Sequence, residues 1–212
     1  MNPRLLVATR NKGKQREIAT ILTGLELTVV FPDDLGLRER AEEAGLETAG
    51  SYEGNARQKA EYFAALTGLE TVADDSGIEV FSLGGHPGVR SRHFAMYEGP
   101  PDGLDAANNA ELLRRLAGAA PERRRARYRC VALYLTGPHA VPRVFEGSCA
   151  GQILEAPRGA GGFGYDPLFR SDELGKSFGE ASAEEKHAVS HRGRAFRACA
   201  EWLAQQRTRD AD

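Results

Sequence analysis

The chain has 212 residues, 41% hydrophobic and 27% charged, which is ordinary globular composition and long enough for a sizeable core. Its 28 basic and 30 acidic residues leave a formal net charge of −2, which excludes a global field that gathers nucleic acid. No run approaches the ~20 apolar residues that cross a bilayer, and Cys130, Cys149 and Cys199 are too scattered for a disulfide or zinc pattern, so a reducing cytoplasm is expected.

The opening "NPRLLVAT" has no charged leader ahead of a long apolar stretch, so no secretory signal is expected. Leu5 to Ala8 reads as a buried strand. "KQREIATILTGL" then places Ile18, Ile21, Leu22 and Leu25 on one helical face, with Gly24 near the stop. "ELTVVF" is a second strand, and "DDLGLRERAEEAGLETAG" is a long loop with a helical turn. Asn55 to Leu66 forms a helix with Ala56, Ala60, Phe63 and Ala64 inward. "TVADDSGIEVFSLGG" reads as a strand, an acidic break, then a second strand or hairpin arm. "HPGVRSRHFAMYEGPPDG" is rich in turns, and Asp105 to Ala117 is a helix. Tyr128 to Leu135 and Arg143 to Ile153 are strands joined by "TGPH", and "APRGAGGFGYDPLF" is a glycine-rich loop. The C-terminal third is helical, with Phe196, Cys199 and Leu203 on one stripe and Trp202 beside it, before a polar tail over 208–212 that is expected to fray. The expected fold is α/β: one domain over residues 1–207, a mixed sheet flanked by helices, with room for a division into two lobes.

Several stretches carry candidate chemistry. Thr9, Asn11 and Lys14 follow a strand and lead into a helix, whose N-terminal amides suit phosphate, and Lys12 and Lys14 add full charge. The spacing is not that of a P-loop, and a plain polar turn capping a helix fits this stretch equally well. Asp74 and Asp75 end an apolar strand, where carboxylates favour a hard divalent cation, although a solvated Asp-Ser-Gly turn suits an isolated "DDSG" better. If the strand persists, alternation lets only one of the two face a site directly. In "GGFGYDPLF", Phe163 or Tyr165 offers a ring for stacking on a base and Asp166 an acceptor for a ring N–H. Ser182 and Glu185 form a capping-box pattern. Ser190 can cap a following helix, putting His191 and Arg192 in its first turn, where cations oppose the helix dipole and so hint at another duty. The basic run "PERRRARYR" has no aromatic interleaving, and His86, His93, His139 and His187 show no paired ligand spacing.

The order of these blocks is more specific than any one of them. "T-x-N-x-x-K", "ET" followed by "N-A-x-x-K-A", "ADDSG…LGGHPGV", "GGFGYDP" and "EEK…SHR" form one series from residue 9 to 192, and that series closely resembles the inosine triphosphate pyrophosphatase family. The resemblance implies a homodimeric mixed α/β protein with an active-site cleft between two lobes. It also implies Mg2+-dependent hydrolysis of ITP, dITP and XTP to the monophosphate and pyrophosphate. Carried over position by position, it assigns Thr9, Asn11 and Lys14 to the triphosphate, and Glu47 and Asp75 to the metal, with Asp75 also the base for the attacking water. Lys59 falls near the phosphates, and Ser76 in the substrate-binding set beside Asp75. Phe163, Gly164, Tyr165 and Asp166 form the base pocket, and Lys186, His191 and Arg192 a late base- and phosphate-contacting group. Ser91-Arg92-His93, Gly54 and His187 differ from the family's pattern. Mn2+ is an alternative metal, since it too accepts oxygen ligands. No stable nucleic-acid partner and no membrane association are expected. Two other readings are a phosphohydrolase that releases inorganic phosphate stepwise, and a non-catalytic nucleotide or RNA binder using the 121–129 run.

Overall fold

The computed structural model describes residues 2–211, with side chains through Thr208. Six strands form one mixed sheet: β1 (Arg4–Val7), β2 (Thr28–Val30), β3 (Glu70–Val80), β4 (Arg125–Leu135), β5 (Arg143–Ile153) and β6 (Phe169–Ser171), in the order β2-β1-β3-β4-β5-β6. β1 pairs in parallel with both β2 and β3, and β5 pairs antiparallel with β6. Among the described residues, five α-helices accompany it: α1 (Lys12–Ile21), α2 (Tyr52–Thr67), α3 (Leu104–Arg115), α4 (Ala183–Val189) and α5 (His191–Ala211). The chain divides into two compact units. The first holds residues up to Asp75, Cys130–Gly147 and the chain from Arg192 on; the second holds Ser76–Arg129 and Ser148–His191.

In the first unit, strand alternation sorts side chains onto two faces. Leu5, Val7, Val72, Cys130 and Ala132 pack with Ile18 and Leu22 and with Ala195, Phe196, Cys199 and Leu203 of α5; Trp202 lies against them. Leu6, Ala8, Ala73, Leu133 and Leu135 pack on the other face with Ala56, Ala60, Phe63 and Ala64 of α2. The chain leaves β1 for β2 on one side and later returns as β3 on the other. That makes the C-terminal end of β1 a topological switch point, where open α/β sheets place ligands. The second unit has its own core, including Ile78, Val80, Leu112, Tyr128, Tyr165, Phe169 and Phe178.

Several element bounds differ from the sequence reading. The acidic break does not exist: β3 runs unbroken through Asp74-Asp75-Ser76-Gly77. Both acids are buried but have charged or amide partners, so the strand need not open to solvate them. Gly77 is required there, because a Cβ would sit 2.1 Å from the Gly88 carbonyl oxygen. α1 ends at Ile21, short of Gly24, with Leu22 as its C-cap. α2 starts three residues before Asn55, because the Ser51 hydroxyl caps it by accepting from the Gly54 N–H at 3.1 Å. The 32–50 loop holds two short 3-10 turns, Asp33–Leu35 and Ala41–Gly45. β4 begins at Arg125 and so absorbs part of the basic run. Arg124 of that run donates to the carbonyls of Leu116, Ile153 and Leu154, while Arg125 pairs with Asp172 and Arg127 with Glu79. α5 spans His191–Ala211; Asp212, the end of the tail expected to fray, lies outside the described residues.

Candidate active site

The turn after β1 is built by its own side chains. The Thr9 N–H bonds the Val7 carbonyl at 2.9 Å, and the Asn11 N–H donates to Thr9 Oγ1 at 3.3 Å. Asn11 is the N-cap of α1, its Oδ1 accepting from the Lys14 N–H at 3.0 Å. Gln15 donates from Nε2 to the Thr9 carbonyl at 2.9 Å. No acid lies in the first turn of α1, so Lys12 and Lys14 add to the positive end of the helix dipole. Lys14 Nζ reaches the Asp74 carboxylate at 3.0 Å and the Asp74 carbonyl at 3.4 Å. Lys59, from the third turn of α2, donates to the same carbonyl at 2.6 Å and pairs with Glu47. Two ammonium groups thus meet at one backbone oxygen. Burial opposes the charge on Lys59, but Glu47, Asp75 and Asp74 outweigh it and raise its pKa.

Alternation along β3 gives the neighbouring acids different company. Asp74 points to the α1 and α5 side. There Arg192, buried at 2% exposure, donates to it from Nε at 3.4 Å and binds Glu17 from NH1 at 2.5 Å. Asp75 points to the α2 side, where Asn55 Nδ2 donates to it at 2.8 Å. Burial alone would raise both pKa values. For Asp74 the cations Lys14, Arg192 and Lys59 more than reverse this and hold it well below the usual carboxylate range. For Asp75 burial prevails, helped by the negative charge of Glu47 and opposed by Lys59, Lys14 and the Asn55 hydrogen bond, so its pKa is raised. Such opposed shifts in adjacent carboxylates separate a permanent anion from a group that can take a proton.

Glu47 adopts a left-handed backbone (φ 81), uncommon for a residue with a side chain. Its N–H and that of Thr48 both donate to Gln58 Oε1 at 3.1 Å. Glu47 and Asp75 are hard oxygen donors near enough for one charge to shift the other's pKa. Among the described residues no three His, Cys, Asp or Glu side chains gather into a metal cage. Two carboxylates alone fit Mg2+, which binds one or two carboxylates and completes its shell with waters and phosphate oxygens.

The second unit holds the glycine-loop residues. The Phe163 N–H donates to Asp166 Oδ2 at 2.8 Å, and the buried Lys186 ammonium pairs with the same carboxylate. Lys186 Nζ lies 4.9 Å from the Phe163 ring centroid and 5.5 Å from that of Phe178. Of the two rings offered for stacking, Phe163 is half-buried, whereas Tyr165 is 4% exposed and donates its hydroxyl to the Ser91 carbonyl at 2.7 Å. Tyr165 therefore belongs to the core. The Gly164 N–H donates to Asp105 at 2.7 Å and its carbonyl accepts from Asn109 at 2.9 Å, so α3 holds the peptide groups on both sides of Gly164. Ser76 is half-buried on β3. His191 is buried, its ring parallel to Tyr128 with centroids 4.5 Å apart.

Arg192 pairs with Glu17 and Asp74 inside the first unit. Glu17 and Asn55 are members of the first cluster that the sequence reading did not assign, and Asp74 is one that it singled out only with Asp75 as a candidate cation ligand. Glu17 and Asn55 also left a signal: Lys14 and Glu17 fall on the same helical stripe as Ile18 and Ile21, and Asn55 opens the "N-A-x-x-K-A" block.

A mixed sheet with flanking helices and a buried lysine–carboxylate cluster at its switch point defines the class, an α/β enzyme. The chain belongs to the Ham1 family, whose profile matches residues 5–202. It is 48% identical over 193 residues to a dITP/XTP pyrophosphatase of Geobacter sulfurreducens, covering 91% of this chain and 92% of that one. To a dITP/XTP pyrophosphatase of Thermus thermophilus it is 46% identical over 198 residues, covering 93% and 90%. The Ham1 protein of Staphylococcus aureus superimposes with a TM-score of 0.79 at 33% identity, covering 96% of this chain and 99% of that one. That of Coxiella burnetii does so with a TM-score of 0.82 at 30% identity and the same coverage.

Proposed function

We propose that this protein hydrolyses ITP, dITP and XTP between the α- and β-phosphates, giving the monophosphate and pyrophosphate, with Mg2+ (or Mn2+) as cofactor. It would act as a cytoplasmic homodimer that cleanses the nucleotide pool. The observation that carries the reading is the meeting of Lys14 and Lys59 at the Asp74 carbonyl, next to an Asp75 whose proton affinity is raised. Phosphoryl chemistry is mostly positioning and charge neutralisation, and this cluster supplies both. Thr9, Asn11, the first amides of α1 and the two lysines hold the phosphates, and Lys14 and Lys59 steady the charge on departing pyrophosphate. Asp75 accepts the proton of the attacking water, a task suited to a carboxylate with raised pKa. When bound, Mg2+ on Glu47 and Asp75 would neutralise phosphate oxygens and help polarise that water.

For the base, Phe163 offers the stacking face and Gly164 its backbone. Asp166 and Lys186 offer an acceptor and a donor, with His191 and Arg192 further donors in this assignment. Hypoxanthine and xanthine carry a 6-oxygen where adenine carries an amino group. A donor facing that amino group loses its partner, at about 1–3 kcal/mol for each buried mismatch.

The test is a product assay with Mg2+ and, separately, ITP, XTP, dITP, GTP, ATP and dTTP, resolving pyrophosphate from phosphate. Pyrophosphate from the first three and little from the rest is expected. Inorganic phosphate as the product, or equal use of all six, would overturn the reading.

A further inference from the structure

We propose that Arg10 is a positioning residue that locks the loop carrying Glu47 onto the phosphate-binding turn. Arg10 sits between Thr9 and Asn11, yet its side chain leaves that turn and spans the 32–50 loop. Its guanidinium forks onto Glu43, Nε to Oε2 at 2.6 Å and NH2 to Oε1 at 2.8 Å. NH1 donates to the Leu37 carbonyl and to Asp33 Oδ1, both at 3.0 Å. One side chain therefore ties three points of a loop 23 to 33 residues away in sequence. A planar fork suits this and an ammonium does not.

The fork matters because of what Glu43 does next. Its Oε1 also accepts the Arg40 N–H at 3.2 Å, and its backbone carbonyl accepts the Leu46 N–H at 3.1 Å. That fixes the residue before Glu47, whose left-handed backbone needs support from its surroundings. The Cζ of Arg10 also lies 5.8 Å from the ring centroid of Phe63, one turn of α2 after Lys59. Beside it, Lys12 holds Asp33 at 2.6 Å. The phosphate turn, the loop of Glu47 and the helix of Lys59 thus share one joint, and Arg10 is its pin. Supporting groups of this kind orient metal-binding side chains without touching the metal.

This inference rests on the reading of Glu47 as a metal-binding acid, so its test has two readouts. The first is amide hydrogen exchange of the protein without metal or nucleotide. Arg10→Gln should speed exchange at Glu43, Leu46, Glu47 and Thr48, and Arg10→Lys should restore it incompletely. The second is the Mg2+ concentration for half-maximal ITP turnover, expected to rise about tenfold or more in Arg10→Gln, with KM for ITP at saturating Mg2+ little changed. Glu43→Gln should give both effects, and the double variant no more than either alone; it also serves if Arg10→Gln fails to fold. Arg57→Ala, which removes an exposed pair with Glu53, should give neither. Unchanged exchange in Arg10→Gln and Glu43→Gln, or faster exchange with an unchanged Mg2+ requirement, would overturn the proposal. If Glu47→Gln itself keeps the parent Mg2+ requirement, the reading of Glu47 is what fails, whatever the exchange data show.

Discussion

Asp74 and Asp75 are covalent neighbours with opposite proton affinities, because consecutive strand residues face opposite sides of the sheet. The raised pKa of Asp75 means that folding disfavours its ionised form, which costs stability. Asp75→Asn should therefore melt at a higher temperature than the parent near pH 7 while its kcat for ITP falls by about 100-fold or more. A lower melting temperature, or near-parental turnover, would sink the double role. Asp74 has the other sign. Its depressed pKa contributes stability that is fully present above the ordinary value of 3.8 and is lost as pH falls through the folded value. Asp74→Asn leaves Arg192 and Lys14 poorly compensated and should cost about 3–5 kcal/mol near pH 7. Urea titrations from pH 7 to pH 3 should show the gap to the parent narrowing below about pH 4. A gap constant across that range would contradict the assignment.

At the scale of elements, α2 places Asn55 and Lys59 one turn apart toward Asp75, so its start is a functional coordinate. Gly54 occupies the third position of that helix, where glycine is the poorest residue after proline. The structure gives the reason: a Cβ there would lie 2.5 Å from the Ala49 Cβ and 2.9 Å from the capping Ser51 hydroxyl. Ala49 in turn donates its N–H to Asn55 Oδ1 at 3.0 Å, so displacing it disturbs the residue that holds Asp75. Gly54→Ala gains about 1 kcal/mol of helix propensity but forces an overpacked contact that costs about 1–3 kcal/mol. We expect a lower melting temperature together with a lower kcat, read by thermal melts and ITP kinetics. A rise in melting temperature would mean that the 48–51 turn yields freely.

Across the whole molecule, each compact unit has its own core and its own cluster of candidate residues: lysines and carboxylates in the first, Phe163, Asp166 and Lys186 in the second. Within the basic run around residue 124, Arg124, Arg125 and Arg127 are engaged by carbonyls and acids of the second unit. Much of the fold was legible in sequence. Leu5–Ala8, the apolar stripe of α1, the inward alanines of α2 and the Phe196–Leu203 stripe all reached the cores expected of them, because periodicity and burial are decided over a turn or two of chain. The Thr9-Asn11-Lys14 turn was equally legible, since a cap and a strand end are local events. Which acid meets which cation was not. Lys14 meets Asp74 across 60 residues and Arg192 meets it across 118, distances that only the parallel pairing of β1 with β3 and the docking of α5 close. Thus sequence alone determined the secondary elements and the kinds of group available for chemistry, through local patterning. Tertiary structure decided that β3 runs unbroken, that Asp74 is an anchor and Asp75 the group with proton affinity, and that Arg10 reaches the loop of Glu47. Electrostatic environment is set by neighbours in space, and the chain order does not contain them.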